Sequence, residues 1–249
     1  MTSSTSPSRA SQQDTPSQAA PAGSQTLARG LRALEILGEA RYPISIADLA
    51  EALGVHRSNA YRLLRTLEEH RFALRDDAGL IRLGPRMAAL ARGVAPGLTT
   101  AAAPELTRLA QDTGMTAFLT VLDGGDIITL ASAEPVGVAA AVARRPGDRH
   151  PWHVGAPGHA IEASLTASER LTFLGGAAPT DESKLTIERG YALSQNEVID
   201  GVTSLAVPLR IAGEAPAALA VVHFNAPDPV AAVLTRLTTA AEHIARNYR

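Results

Sequence analysis

Between Ile44 and Leu67 the apolar positions follow a helical period, break once, and resume. Leu49, Ala50 and Leu53 fall on one face of a short first helix. Gly54 stands where a tight turn needs a residue without Cβ restraint. Val55, Ala60, Leu63, Leu64 and Leu67 then supply the buried face of a second helix. The polar residues between them, His56, Arg57, Ser58, Asn59, Tyr61, Arg62 and Arg65, are left to point outward. A helix seated by one face and carrying arginine on the other suits a DNA major groove. Arg71 to Leu83 adds two short apolar runs around Asp76-Asp77-Ala78-Gly79, a hairpin signal. A helix pair followed at once by a hairpin predicts a winged helix-turn-helix.

The pattern changes along the chain. Leu27, Leu31, Leu34 and Leu37 are spaced for the buried face of a first helix over 25–40. Gly84-Pro85 opens a further helix, with proline at a tolerated first-turn position. Gly93, Pro96 and Gly97 break that helix, so 85–97 reads as a linker. Thr99 or Thr100 is expected to cap the next helix and Gly114 to end it. Thr116–Leu122 and Ile127–Ala133 are strand-like and joined by Asp-Gly-Gly-Asp. Val136–Arg145 alternates like a further strand. Helices are expected over Gly158–Leu165, Ser168–Leu174 and Lys184–Arg189, and strands over Val202–Arg210 and Pro216–Phe224. Thr166 and Glu169 have the spacing of a capping box. The stripe from Val230 to Tyr248 predicts a closing helix. The expected class is α+β, with a mostly antiparallel sheet covered by helices. Four regions follow: a disordered leader over 1–24, rich in Ser, Pro, Gln and Ala; a winged helix-turn-helix over 25–84; a linker helix over 85–97; and an α+β domain over 98–249.

Charge sharpens the first domain. From Gln25 to Arg92 eleven arginines and no lysine face eight acidic residues, a local excess of +3 on a chain of net −2. A basic module on an acidic body fits a local nucleic-acid footprint. Arginine also suits bidentate contacts to guanine and phosphate. The chain has no cysteine, which excludes disulfides and thiolate chemistry and fits a cytoplasmic protein. No apolar run approaches the ~18 residues of a membrane span.

The run Leu53-Gly54-Val55-His56-Arg57-Ser58-Asn59-Ala60-Tyr61-Arg62-Leu63-Leu64-Arg65-Thr66-Leu67, followed by Leu83-Gly84-Pro85-Arg86, resembles the IclR family of bacterial transcriptional regulators. A second match is Arg189-Gly190-Tyr191-Ala192 with Gly201-Val202-Thr203-Ser204-Leu205-Ala206-Val207-Pro208. The resemblance runs from about residue 25 to the C-terminus. It implies a GAF-like effector-binding domain, a homodimer or dimer of dimers, and a small organic acid or aromatic metabolite as effector, with no cofactor. Where the family often has Thr-Ala-x-Gly-Lys-Ala, this chain has Gly155-Ala156-Pro157-Gly158-His159-Ala160. The acidic residues common after the Gly-Tyr-Ala motif thin to Ser194-Gln195-Asn196-Glu197.

Candidate sites follow from these readings. Ser58, Tyr61, Arg62 and Arg65 share one helix face at i, i+3, i+4 and i+7. Arg57, Ser58 and Arg62 are assigned to bases, with Asn59 and Tyr61 alongside and Arg65, Arg75 and Arg82 on phosphates. Arg65 has a competing partner in Glu68 or Glu69. In the second domain, Gly155, Ala156 and Gly158 precede a helix, so their N–H groups can receive a carboxylate. Ser204, His223 and Asn225 are expected to converge from adjacent strands on one polar cavity. The resemblance places these three, and nearby Ser194, at effector-contacting positions. Val142 is either a pocket wall or a core valine. Trp152 is either a cover for the cavity mouth or a loop aromatic. An alternative function is a metal-responsive regulator using His150, His153, His159 and His223. No G-x-S-x-G, H-E-x-x-H, P-loop or dinucleotide fingerprint supports an enzyme.

Overall fold

The computed structural model describes residues 24–138, 140–224 and 229–248. The expected leader, apart from Ser24, lies outside the described residues, and so does Asn225. The chain forms two compact units that meet in sequence between Arg92 and Gly93.

The first unit is helical with a small hairpin. Helices α1 (Gln25–Glu39), α2 (Ile46–Ala52) and α3 (Arg57–Glu69) precede strands β1 (Ala73–Arg75) and β2 (Ile81–Leu83) and helix α4 (Arg86–Ala91). Ser45 and Asp48 cap α2 reciprocally. Gly54, at φ +62°, makes the turn into α3. Ala33, Leu37, Leu49, Ala60, Leu64, Leu67 and Ile81 close the core. Burying each of the larger aliphatic side chains contributes roughly 2 kcal/mol. The expected stripe of α1 divides. Leu37 is buried, but Leu27 and Leu31 in the first two turns stay exposed. Beside them runs an apolar groove between α1 and α3.

The second unit has three layers. Its sheet has the order β5-β4-β3-β8-β7-β6 and is antiparallel throughout. The strands are β3 (Thr116–Asp123), β4 (Asp126–Ala133), β5 (Arg149–Pro151), β6 (Ala192–Gln195), β7 (Thr203–Leu209) and β8 (Ala217–His223). Helices α5 (Pro96–Thr113) and α9 (Val230–Asn247) cover one face with Leu106, Leu109, Leu205, Leu219 and Leu237. Helix α6 (Ala156–Ser164) covers the other with Phe118, Ile127, Ile161 and Ala206. Helices α7 (Ala167–Leu174) and α8 (Asp181–Arg189) follow it.

Two local expectations fail for identifiable reasons. Helix α5 starts at Pro96, earlier than a threonine cap would allow, with Ala95 as N-cap. The Thr99 hydroxyl donates back to the Ala95 carbonyl, so it is not available to cap. Val136–Arg145 is not a strand. Alternation is kept only near its end, where Val142 and Arg144 are buried and Ala143 and Arg145 are exposed, whereas Val136 and Val138 are exposed. Gly137 at φ +81° and the turn at Pro146-Gly147 leave no ladder. Instead Arg149–Pro151 pairs with β4.

Candidate functional site

The first candidate surface is α3 with the hairpin. The buried positions Ala60, Leu64 and Leu67 leave Ser58, Arg62 and Arg65 on the opposite side of the helix, all exposed. His56 caps the helix by accepting from Ser58 N–H, and its Nδ1 lies 2.9 Å from Ser58 Oγ. Asn59 and Arg62 also border the groove toward α1. Arg57 and Arg75 lie on the Tyr61 ring, 5.8 and 5.5 Å from its centroid. Arg65 pairs with Glu69 at 3.0 Å, but both side chains are largely exposed. Such a pair is worth only ~0.3–0.5 kcal/mol and yields easily to phosphate.

The hairpin separates two residues expected to act alike. Register pairs Leu74 with Arg82 and Arg75 with Ile81, so Arg75 and Arg82 stand on opposite faces. Arg82 is exposed. Arg75 turns toward α3 and donates to Glu68 through Nε at 3.1 Å and Nη2 at 3.4 Å. In this arrangement Arg75 ties the wing to α3.

The second candidate site is the head of α6. Gly155 precedes the helix at φ +84°, and a Cβ there would lie 2.8 Å from Val198 Cγ2. Gly158 is pressed against Trp152, whose carbonyl oxygen would be 2.0 Å from an added Cβ. The first N–H groups of the helix are already engaged. Gly155 N–H donates to Glu197 Oε2 at 2.8 Å, and Ala156 N–H donates to Ser194 Oγ at 2.9 Å. His159 Nε2 meets the same Glu197 oxygen at 2.8 Å. A carboxylate only accepts, so that nitrogen carries the proton.

Ser194, Gly155, Glu197 and Ser204 line a cleft with Arg144. The Ser204 hydroxyl donates to the Val221 carbonyl at 3.0 Å. Arg144 is 8% exposed. Its Nε is buried without a partner, and its guanidinium lies over the Phe118 ring at 5.3 Å. Burial pushes its pKa down, and Asp148 offsets this only in part. His150 is also buried. Its Nδ1 faces the Pro151 carbonyl at 3.1 Å, and burial pushes its pKa down.

Not all expected residues gather here. Ser204 pairs with Val222, and Thr203 with His223, so Ser204 and His223 face opposite sides of the sheet. Their expected convergence fails because counting along each strand cannot fix the register between strands. Val142 is buried in the core beneath α6, and Trp152 packs against that core. Neither borders the cleft. Ala156 is fully buried. Of the four histidines, His150 and His159 both lie beside Gly155. Among the described residues no group of three or more His, Asp or Glu is placed to hold a metal ion, and the metal-responsive alternative loses its basis. Sequence reasoning missed Arg144 and Glu197. The alternation of Val142 and Arg144 was a signal for the first. For the second, no local pattern marks a carboxylate that reaches back to Gly155 and His159.

The comparisons agree with this two-part architecture. The IclR helix-turn-helix domain matches residues 26–77, and the bacterial transcriptional regulator IclR C-terminal domain matches residues 95–246. The HTH-type transcriptional regulator XynR of Escherichia coli (strain K12) is 29% identical over 203 residues, 74% of this chain and 80% of XynR. The IclR transcriptional regulator of Alicyclobacillus acidocaldarius superposes with a TM-score of 0.77 at 26% identity, over 90% of this chain and 98% of that one. An IclR homologue from Microbacterium hydrocarbonoxydans, solved in complex with 4-hydroxybenzoate, gives 0.73 at 25% identity, over 90% and 99%. With both domains matched in order, the chain belongs to the IclR family of DNA-binding bacterial transcriptional regulators.

Proposed function

We propose that this regulator binds a roughly palindromic operator as a homodimer or dimer of dimers, and that a small organic acid or aromatic metabolite controls that binding from the second unit. The observation that carries the reading is the head of α6. There two backbone N–H groups, a serine hydroxyl and a buried guanidinium surround one small cleft. A helix N-terminus favours negative charge. The relative bound to 4-hydroxybenzoate supports an aromatic acid as one candidate class.

On the DNA side, Arg57, Ser58 and Arg62 read bases, Asn59 and Tyr61 support them, and Arg65 and Arg82 hold phosphates. Arg75 contributes by fixing the wing to α3. The domain limits proposed are 25–84 for the DNA-binding part, 85–97 for the linker and 98–249 for the effector-binding part. The ligand acts by preferring one of two states of the dimer, and the linker passes that preference to the winged helices. A ligand shifts DNA affinity only by its differential affinity for the two states.

Genome-wide mapping of bound sites tests this. The reading expects a palindromic site, and neighbouring genes supply candidate acids. Anisotropy titrations on that site, with and without each acid, then measure the coupling. An acid that binds tightly yet leaves operator affinity unchanged would refute ligand control.

A further inference from the structure

The cleft at the head of α6 is lined both by a carboxylate already engaged, Glu197, and by a buried guanidinium, Arg144, whose Nε has no partner. Glu197 Oε2 takes both the Gly155 N–H and the His159 Nε2–H. That is where an effector carboxylate would sit. Arg144 borders the same cleft, more than nine-tenths buried, with Nε unsatisfied. Among the described residues no carboxylate lies within ion-pair distance of it; Asp148 acts on its charge from farther away and only in part, and the Phe118 ring lies against it. A buried guanidinium left in this state is costly, and an arriving anion would relieve that cost.

Space points the same way. The cleft measures about 20 Å³, room for little more than one water. A ligand of several heavy atoms therefore enters only if something leaves. The turn between β6 and β7 is the element able to leave. It carries Glu197, and Val198 and Ile199 beside it expose apolar side chains. Asn196 and Gly201 bound it, both at positive φ. Gly201 N–H to Asn196 Oδ1 at 2.7 Å and the backbone bonds Asn196 N–H to Val202 O at 3.0 Å and Val202 N–H to Ile199 O at 3.3 Å close it on itself, and the Glu197 carboxylate is its side-chain tie to the head of α6. Val198 lies directly over Gly155, so lifting the turn uncovers the helix N-terminus and withdraws Glu197 together.

We propose that Arg144 is the anion-binding residue of this cleft and Glu197 its internal placeholder: a ligand carboxylate pairs with Arg144 and takes the Gly155 N–H as the Glu197 side chain withdraws with its turn. This rests on the reading of the cleft as the effector site. It adds that the free protein competes with its own ligand, so affinity is set partly by Glu197. It also assigns charge recognition to a residue outside the α6 motif.

The test uses the full chain with benzoate, 4-hydroxybenzoate and pyruvate as probes, each beside its neutral amide. Trp152, the chain's one tryptophan, reports binding by fluorescence, and the Gly155 amide resonance reports the seat itself. Glu197→Ala is expected to bind at least one of the carboxylates tenfold or more tighter than wild type, with no gain for the amides. Adding Arg144→Gln should abolish that gain. If that double variant fails to fold, Arg144→Lys in the Glu197→Ala background should still weaken carboxylate binding at least threefold. Equal carboxylate affinity in wild type and Glu197→Ala overturns the placeholder, and indifference to both Arg144 changes overturns the receptor. If wild type still binds a carboxylate and changes its operator affinity, the effector reading survives either failure. If no probe binds wild type or Glu197→Ala and operator affinity ignores all of them, both ideas fall.

Discussion

Tyr61 stands between two guanidinium groups with different duties. Arg57 is free of ion pairs among the described residues and is exposed on α3, whereas Arg75 is bound to Glu68. Each guanidinium is drawn to the electron-rich face of the ring. Arg62 and Arg65 divide in another way. Arg62 to alanine is expected to cost ~1–3 kcal/mol at the operator, because a bidentate base contact is lost. Unrelated duplexes should lose much less. Arg65→Ala should weaken all duplexes alike and reduce the slope of log K against log salt by about one. Anisotropy titrations at several salt concentrations separate the two, and equal behaviour of the two variants would refute the division. The buried and exposed sides of α3 were legible in sequence because helical period alone sorts Ala60, Leu64 and Leu67 from Ser58, Arg62 and Arg65. The ligand cleft was less so. Ser194, Gly155 and Ser204 were visible as small polar residues near turns, but placing His223 beside Ser204 required a strand register that one strand's alternation does not contain. Arg144 and Glu197 are long side chains, and their direction depends on neighbours far away in sequence.

At the scale of elements, local signals were readable and the ties between elements were not. Thr166 and Glu169 form the capping box their spacing announced, yet the same Glu169 also pairs with Arg210, 41 residues on. The Thr166 N–H and Arg210 together hold its pKa down to about 2 from 4.5. A depressed carboxylate adds stability that is present above pH 4.5 and is lost as pH falls toward 2. Glu169→Gln should therefore flatten the fall of the urea midpoint over that window, and an unchanged acid limb would refute the assignment. Thr166→Ala should cost ~1 kcal/mol through the cap. A larger effect is expected at Glu162 on α6. It is buried, and it accepts from the Thr180 N–H and hydroxyl and from Arg170 Nη1. Burial alone would raise its pKa, but those donors outweigh it and hold the group below its ordinary value. Removing it by Glu162→Ala leaves Arg170 half-stranded at 15% exposure and should cost about 3 kcal/mol in chemical unfolding. This tie fixes α6 to the start of α8, and so fixes the helix whose head forms the cleft. Val136–Arg145 shows the opposite case. Near its end Val142 and Arg144 turn inward, but its described residues join no ladder, and Arg149–Pro151 takes the place beside β4.

The whole molecule divides its charge as it divides its chemistry. The +3 excess lies in the first 92 residues, and the rest of the chain is acidic. DNA attraction is thereby concentrated on one unit, while the cleft proposed for the ligand lies in the other. If the two sites are joined only through a shared two-state equilibrium, substitutions confined to one site change that site's intrinsic affinity and leave the other's unaltered. Arg62→Ala should weaken operator binding without moving carboxylate affinity of the DNA-free protein. Ser204→Ala, at the cleft, should weaken carboxylate binding without moving operator affinity of the ligand-free protein. The coupling between sites must also be reciprocal. The factor by which saturating ligand changes operator affinity equals the factor by which saturating operator changes ligand affinity, typically 5- to 150-fold. Calorimetry for the ligand and anisotropy for the operator measure the two factors independently in wild type and both variants. Equal factors preserved in all three proteins are the expected result. A ligand effect that vanishes in Arg62→Ala while the operator is still saturated would mean that the ligand acts at the DNA interface itself, and the two-site mechanism would be wrong.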